Sequence, residues 1–172
     1  VGATGAGAID VTLSGNLTAA ASAGSGGIFV SETGAMALTS VAAGSGDVEL
    51  NVASSITLDG NATTAGDLTL SVSDAGGSFT LGSTNTGVSG NDVSIAADNM
   101  ILNSSGTGIR ATADLTVETS SASRDIVLGA ETAGSLSLTN AELDELTAAT
   151  LIVGNKGDGG AIIVSSALDL NN

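Results

Sequence analysis

The chain lacks cysteine and histidine altogether. Without cysteine it can form neither a disulfide nor a zinc–thiolate site, and it has no thiol nucleophile. Without histidine it lacks the commonest general base and the usual nucleophile triads. Its many serines also stand outside the Ser-x-x-Lys and Gly-x-Ser-x-Gly contexts that mark activated hydroxyls. We therefore expect a protein that is not an enzyme, and we assign it no catalytic residue.

The chain also lacks proline, tryptophan and tyrosine, and it contains two phenylalanines. At ordinary usage a chain of 172 residues would carry about eight or nine prolines. Because proline removes a hydrogen-bond donor, it is excluded from strands that have neighbours on both sides. A hydrophobic share of 42%, mostly Ala, Val, Ile and Leu, excludes a disordered chain. These features predict one domain over residues 1–172, with a thin core of stacked small aliphatic side chains.

Positive charge is scarce as well. The three basic residues, Arg110, Arg124 and Lys156, stand against 18 acidic ones, which gives a net charge of −15. Such scattered cations cannot neutralise phosphates, so a nucleic-acid partner and an anionic membrane surface are both excluded. No apolar run approaches the ~20 residues of a membrane-spanning helix. We therefore expect no nucleic acid and no membrane insertion.

Short alternating apolar segments recur along the chain, and we call them leading strands. In residues 47–72, Val48, Leu50 and Val52 share one face, and the same pattern restarts at Leu68. Alternation over so short a run indicates a half-buried β-strand. The leading strands restart every 19–26 residues. Their first apolar residues are Ile9, Ile28, Val48, Leu68, Val93, Leu115, Leu136 and Ile162.

A second short apolar strand follows most leading strands, and Gly-rich turns separate the units. These second strands begin at Leu17, Met36, Ile56, Phe79, Met100, Ile126, Leu151 and Leu168. Such a period predicts an all-β fold, a parallel β-helix of about eight coils, in which each kind of strand forms its own sheet. The alternative is an antiparallel sandwich. We disfavour it because no two-residue Asn-Gly or Asp-Gly hairpin connector separates the strand pairs.

Residues 141–150 depart from this pattern. Leu143 and Leu146 are three residues apart, and Asn140 is a residue type that can cap one helical turn. A bulge or an extra partial strand fits this segment equally well.

A repeat style becomes recognisable in SLSLTNAELDELTAATLIVGNKGDGGAIIVSSALDL, residues 135–170. It resembles the degenerate repeats of filamentous-haemagglutinin-like large exoproteins, and GDLTLSV, SGNDVSI and TADLTVE extend the resemblance over most of the chain. That family comprises secreted adhesins of Gram-negative bacteria that fold as long right-handed β-helices. The resemblance therefore implies a right-handed coil at the cell surface or outside the cell. The family's Asn-Pro-Asn secretion motif is absent here, because the chain has no proline.

Three functions agree with such a chain. The first is a structural stalk or fibre segment of a large exoprotein, whose partners are other segments of the same chain and a host or neighbouring-cell surface. The second is a self-assembling filament subunit that stacks end to end on identical copies. The third is a calcium- or glycan-binding module, although scarce aromatics disfavour sugar stacking. Because the chain opens on Val1 without a signal segment, we expect an internal or processed piece of a longer repeat protein.

Four aspartates occupy the same position, directly before consecutive leading strands: Asp47, Asp67, Asp92 and Asp114. In register, their carboxylates would stack about 4.8 Å apart and repel one another. Calcium would compensate this repulsion, and GSGD at 44–47 matches part of a calcium-binding nonapeptide. We favour the simpler interpretation, in which each aspartate accepts N–H groups at an exposed, solvent-screened turn. We therefore assign no cofactor or metal residue and keep calcium as the candidate cation.

Two further surface features follow from the sequence. Asn16, Asn61 and Asn103 each begin an N-glycosylation acceptor triplet, but a chain so rich in Ser and Thr is expected to contain such triplets by chance. The longest spacings between strands fall near 82–92, 103–113 and 119–125. These ranges are the expected contact loops.

Overall fold

The computed structural model describes residues 9–11, 16–21, 25–82, 86–103, 107–154, 157 and 159–168, with the backbone alone over 9–11. In chain order the strands are β1 (Ile9–Val11), β2 (Leu17–Ala21), β3 (Ile28–Glu32), β4 (Ala35–Ala43), β5 (Val48–Val52), β6 (Ser55–Thr63), β7 (Leu68–Val72), β8 (Ser78–Leu81), β9 (Gly87–Gly90), β10 (Val93–Ala96), β11 (Asn99–Leu102), β12 (Gly108–Ala111), β13 (Asp114–Glu118), β14 (Ile126–Gly129), β15 (Leu136–Thr139), β16 (Leu146–Thr147), β17 (Thr150–Val153) and β18 (Ile162–Val164). One helical turn, α1 (Asn140–Leu143), lies between β15 and β16.

Every strand pair in the described residues is parallel. The strands stack as a parallel β-solenoid of about four turns. Each of these turns contributes strands to two large sheets, one of seven strands and one of eight. Parallel pairing needs a crossover between neighbouring strands, and the rest of each turn provides it. The predicted all-β parallel arrangement is confirmed for this part of the chain, and the antiparallel sandwich is wrong.

The leading sheet is a seven-stranded sheet in the order β1-β3-β5-β7-β10-β13-β17. Val48 lies beside Ile28 on one side and beside Leu68 on the other. Val93 in turn lies beside Leu68 and beside Leu115. The predicted leading strands from Ile28 to Leu115 are therefore confirmed as neighbours in register, and β1 joins the same sheet through Ile9 beside Val30.

The last two predicted leading strands are placed wrongly by the sequence pattern. Leu115 has Leu151 of β17 as its next neighbour, not Leu136. Leu136 and Ile162 belong to a separate three-stranded sheet, ordered β15-β14-β18, which also holds Ile126. The physical reason is an insertion over residues 119–145, in which Leu136 and Leu138 of β15 alternate with polar residues as the apolar residues of a leading strand do. Periodicity alone cannot assign such strands to a sheet.

The remaining strands form an eight-stranded branched sheet, in which β6 is the branch point. Its first half pairs with β8, through Ile56 beside Phe79, and its second half pairs with β9, through Ala62 beside Val88. Met100 of β11 lies beside Phe79 of β8 in turn. The predicted second strands from Met36 to Met100 are therefore confirmed as neighbours in register. Leu17 of β2 joins the sheet through Leu38, whereas Leu168 lies outside any strand.

The core is the inside of this stack. The core-facing residues of successive strands lie over one another, as Leu50, Leu70 and Ile95 do in the leading sheet, and all three are fully buried. Close stacking also constrains the corners. A Cβ on Gly60 would lie 1.7 Å from the Thr39 carbonyl oxygen of the turn before. Glycine is therefore required at this corner, because the two backbones approach more closely than any side chain allows.

The segment 141–150 contains both of the alternatives that its sequence leaves open, a helical turn and a partial strand. The N-cap of α1 is Thr139 and not Asn140, which is already helical. The Thr139 Oγ1 accepts the Glu142 N–H at 3.3 Å, and Glu142 Oε2 accepts the Thr139 N–H at 3.0 Å. This reciprocal capping box fixes the turn. In the described part of the chain, no helix has the length and apolar character to cross a membrane.

Candidate functional site

The four predicted aspartates lie on one exposed corner of the solenoid, and we call them the aspartate ladder: Asp47, Asp67, Asp92 and Asp114. Asp47 Oδ1 accepts the backbone N–H of Asp67 at 3.0 Å. Asp67 Oδ1 accepts that of Asp92 at 3.3 Å, and Asp92 Oδ1 accepts that of Asp114 at 3.1 Å. The carboxylates of Asp47, Asp67 and Asp92 thus each cap the corner of the following turn.

The ladder continues the pairing of the leading sheet into the corner. The N–H of Val48 donates to the Asp67 carbonyl, and the N–H of Leu68 donates to the Asp92 carbonyl, both at 2.8 Å. Asn91 adds a side-chain N–H to Asp67 Oδ1 at 3.1 Å. These donors compensate part of the repulsion between stacked carboxylates, because hydrogen bonds to a charged acceptor are stronger than neutral ones. The predicted turn capping is therefore confirmed for Asp47, Asp67 and Asp92.

A shallow groove runs beside the ladder on the outer face of the leading sheet. It has a volume of about 270 Å³. Its lining residues are Asp67, Leu68, Thr69, Asp92, Val93, Ser94, Asp114, Thr116 and Ile152. Within the described ranges, no three His, Cys, Asp or Glu side chains come together as a metal-ligand group. The groove is acidic and open, and it contains no preformed ligand set for calcium, which takes six to eight oxygens.

A larger groove of about 510 Å³ lies between the face of β8 and β11 and the turn at residues 131–135. Ser78, Asn99 and Ile101 line the strand side, and Glu131 lies on the turn. The turn is held onto β15 by Ser137, whose Oγ accepts the Thr132 N–H at 2.9 Å and donates to the Thr132 carbonyl at 3.1 Å. Sequence periodicity gives no sign of this groove, because the insertion forms one of its walls.

Glu131, which lines this groove, interacts with a second carboxyl group, that of Glu142. Partial burial, the negative charge of Glu142 and a hydrogen bond between the two side chains raise the pKa of Glu131. Glu142 also accepts the backbone N–H groups of Leu102, at 3.1 Å, and of Thr139, at 3.0 Å. We assign this pair no catalytic role.

A buried carboxylate, Asp98, anchors the start of the insertion. Its Oδ2 accepts the Gly76 N–H at 2.8 Å and the Ser121 hydroxyl, and its Oδ1 accepts the Ser121 N–H at 2.8 Å. Arg124 Nη1 lies 3.9 Å from Oδ2, and Arg124 Nη2 donates to Asn99 Oδ1 at 3.1 Å. Burial alone would raise the pKa of Asp98, but these hydrogen bonds and the Arg124 charge outweigh it and hold that pKa below its usual value.

Neither Asp98 nor the Glu131–Glu142 pair is predicted from the sequence. The capping box has a visible signal, since Thr139 and Glu142 form a Thr-x-x-Glu pattern. Asp98 has none, because its partners Gly76 and Ser121 come from distant parts of the chain.

The predicted contact loops and surface residues agree with the structure in part. Residues 87–90 and 108–111 are strands, so the prediction of contact loops over 82–92 and 103–113 is wrong for those parts, while 83–85 and 104–106 lie outside the described residues. Arg110 is exposed, and Lys156 lies outside the described residues. Asn16, Asn61 and Asn103 are exposed, and their glycosylation stays a prediction.

The fold and this corner define a parallel β-solenoid whose turns are joined by hydrogen bonds from carboxylate to backbone. Comparison of the chain with protein-family models, with curated proteins and with solved structures gives no match. The resemblance to filamentous-haemagglutinin-like exoproteins therefore stays a prediction, and a function has to be argued from the structure.

Proposed function

We propose that the chain is a non-catalytic stalk or fibre segment of a large secreted or cell-surface exoprotein of the filamentous-haemagglutinin-like kind. The observation that carries the proposal is the unbroken order of seven parallel strands in the leading sheet. In a stack of this type each turn contacts its neighbours, so length grows with every turn and stiffness comes from the stack itself. Such a segment provides reach and spacing.

The distribution of side chains supports the same proposal. The apolar residues of the leading strands face inward and are buried, while their alternate residues, such as Thr69, Ser94 and Thr116, form a polar outer face. Most of the acidic residues add charge to that surface, within a net charge of −15. High like charge keeps rods apart in solution and disfavours side-by-side aggregation. A stalk requires this combination of a continuous core and a repelling side.

The proposal includes the finer features of the predicted architecture. These are a right-handed winding, about eight coils of 19–26 residues, and secretion by a Gram-negative bacterium. Other segments of the same long chain would continue the rod at its ends, and a host or neighbouring-cell surface would be the target of the whole protein. At about 4.8 Å per coil, eight coils give a rod roughly 38 Å long.

The test has a structural and a cellular part. Small-angle scattering of the purified chain, at concentrations where it is monomeric, should give a rod-like profile with a length near the ~38 Å expected from the strand spacing. Immunogold labelling of intact producing cells, with an antibody raised against the chain, should place gold at the surface or on released fibres. Labelling that appears only after permeabilisation would overturn the proposal, and so would a parent gene without a secretion domain or further coils of this kind.

A further inference from the structure

One column of stacked strands stops inside the solenoid while its neighbours continue. The leading sheet runs on from β10 through β13 to β17, and the column of β9 runs on through β12 to β16. The column of β8 ends at β11, which pairs with β8 alone in the described part of the chain. At this place the next turn contains the insertion over residues 119–145, whose strands belong to the separate three-stranded sheet. The insertion, and not the place where the sequence begins or ends, therefore leaves this edge of β11 without a strand.

The groove of about 510 Å³ lies along this edge. Its walls include Asn99, Met100 and Ile101 of β11 and Ser137 of β15, together with the turn at 131–135. Strand β15 lies near β11 but pairs, among the described residues, with β14 alone. Ligand pockets commonly have volumes of roughly 300–1,000 Å³. The groove therefore has room for a short stretch of extended chain beside β11.

The backbone groups of β11 alternate between its two edges. The N–H groups of Asn99 and Asn103 point to the β8 side, where they donate to backbone carbonyls at 3.0 Å and 3.3 Å. The Leu102 N–H points to the other edge and donates to Glu142 Oε1 at 3.1 Å. Because the direction alternates along a strand, the N–H and C=O of Met100 point to the same edge as those of Leu102. The Glu142 carboxylate thus takes the place of a strand at one end of the edge, and Met100 presents its backbone groups to the groove.

We propose that this groove binds an extended basic peptide segment of a partner protein, which adds as a strand beside β11 and places a Lys or Arg side chain against Glu131. Strand addition takes its affinity from main-chain hydrogen bonds and its specificity from alternate side chains. A peptide side chain opposite the buried Met100 would point inwards, and one opposite Ile101, which is 43% exposed, would point outwards towards the turn. A segment that alternates apolar and basic residues fits both directions.

Charge complementarity favours a cationic occupant. Glu131 lines the groove, and partial burial and the negative charge of Glu142 raise its pKa. The cation on the strand side, Arg124, is already engaged, because its Nη1 lies 3.9 Å from Asp98 and its Nη2 donates to Asn99. Within the described ranges Glu131 forms no ion pair. A ligand cation would therefore relieve the repulsion between two carboxyl groups, in a chain whose net charge of −15 also attracts it.

A second copy of the chain does not offer such a segment. Arg110 lies in β12, which pairs with both β9 and β16, and Arg124 already contacts Asp98. The third basic residue, Lys156, lies outside the described residues, in a glycine-rich sequence without the apolar alternation of a strand. A partner protein therefore has to supply the peptide. The inference stands apart from the stalk proposal, because it concerns a groove that the insertion creates whatever the whole chain does.

The first test is calorimetric titration of the 172-residue chain with the synthetic peptide acetyl-Lys-Val-Lys-Val-Lys-amide, at pH 7 and about 150 mM sodium chloride. We expect one peptide to bind per chain. The matched control peptide has the same sequence with every internal amide N-methylated, so it keeps the charge but cannot donate to a strand. Its affinity should be lower by more than about tenfold. Equal affinity of the two peptides would mean attraction by charge alone and would overturn the proposal.

The second test asks which carboxylates the peptide meets. Glu131→Gln should weaken binding by roughly threefold, the usual effect of one solvent-screened ion pair. The matched control is Asp92→Asn, which removes the same charge from the aspartate ladder, beside the other groove. An equal or larger loss in the ladder variant would place the peptide on the ladder and overturn the proposal.

The third test locates the added strand by amide hydrogen exchange. At saturating peptide the Met100 N–H should exchange at least about tenfold more slowly, because a strand then pairs with it. The Asn99 N–H is the internal control, since it already donates on the β8 side and should change little. An unchanged Met100 rate with peptide bound would overturn strand addition. Self-association of the peptide-free chain that Glu131→Gln abolishes would assign the groove to a second copy and overturn the partner.

Discussion

Asp98 shows how one residue can position an insertion. The side chain is fully buried, and both of its oxygens accept hydrogen bonds from Gly76 or Ser121. A buried carboxylate is costly unless it is paired and hydrogen-bonded, and here Arg124 and three donors provide that compensation. The pKa of Asp98 is therefore held below its usual value despite the burial. Its stabilising effect is present above the ordinary carboxyl range and is lost as the pH falls through the lowered pKa.

Replacing Asp98 by Asn should lower the free energy of unfolding by about 2–3 kcal/mol at pH 7, because hydrogen bonds to a buried charge are lost. Urea unfolding at pH 7 and at successively lower pH measures this effect. The difference between variant and parent should shrink as the pH falls through the lowered pKa of Asp98, because the parent then loses the same charge. Asp74→Asn is the matched control, since Asp74 is exposed and accepts one hydroxyl, from Ser54. Equal losses in both variants would contradict the assigned role.

The pKa of Glu131 is shifted in the opposite direction from that of Asp98. Its pKa is raised by partial burial and by the neighbouring Glu142 carboxylate, so the folded state favours the protonated form. The stability it contributes is present below the ordinary glutamate pKa and is lost as the pH rises through the raised pKa.

Glu131→Gln should therefore stabilise the chain at pH 7 and have little effect at pH 4. A glutamine amide keeps the hydrogen bond to Glu142 without the second negative charge. Because Glu131 is exposed and screened by solvent, the gain should not exceed about 1 kcal/mol. Thermal unfolding at the two pH values measures it, with Glu49→Gln as the control, since the partner of Glu49 is Asn51 and not an acid. A gain that is the same at both pH values would show that the carboxyl pair is not its source.

At the scale of the strands, the aspartate ladder links each leading strand to the next through both backbone and side chain. The role of its carboxylates can be divided into hydrogen bonding and charge. Asp92→Ala removes the acceptor of the Asp114 N–H and should lower the free energy of unfolding by about 1 kcal/mol. Asp92→Asn keeps an acceptor oxygen and removes a charge next to Asp67, so it should be neutral within about 0.5 kcal/mol. Chemical denaturation of the two variants decides between them. A larger loss for Asn than for Ala would mean that the charge itself is needed.

The sequence predicts elements well wherever one turn repeats the previous one. From Ile28 to Leu115 the leading strands follow the apolar alternation, and the ladder follows from the same register. The prediction fails at residues 119–145, where Leu136 has the same local pattern but a different sheet. Strand spacing and alternation are local signals, while the choice of sheet depends on contacts such as Asp98 with Ser121 that join distant segments. The strands that continue the second half of β6, namely β9, β12 and β16, are missed for a related reason, because two strands per coil were expected. The bend within β6 at Gly60 is a matter of close backbone approach, which composition does not reveal.

At the scale of the whole molecule, a net charge of −15 on 172 residues opposes folding as well as aggregation. The ladder aligns four of these charges along one corner, and Asp47, Asp67 and Asp92 each use one oxygen to accept a backbone N–H. The remaining repulsion between these carboxylates can be reduced by solvent screening or by bound calcium, and the two explanations differ in a measurable way. Solvent screening responds to any salt, whereas a calcium site responds to calcium at low concentration.

We expect screening to dominate. Raising sodium chloride from 10 mM to 500 mM shortens the Debye length from about 30 Å to a few ångströms. The melting temperature should rise by roughly 2–4 °C, the equivalent of about 1 kcal/mol for a chain of this size. Calcium chloride at about 1 mM should add nothing beyond sodium chloride of equal ionic strength, and a chelator should change nothing, because three ladder oxygens already accept N–H groups that a calcium ion would have to displace. Asp92→Asn is the control for a specific site. A calcium-dependent rise that this variant abolishes would show that the ladder binds the cation, and it would replace turn capping as the reason for four aspartates in one column.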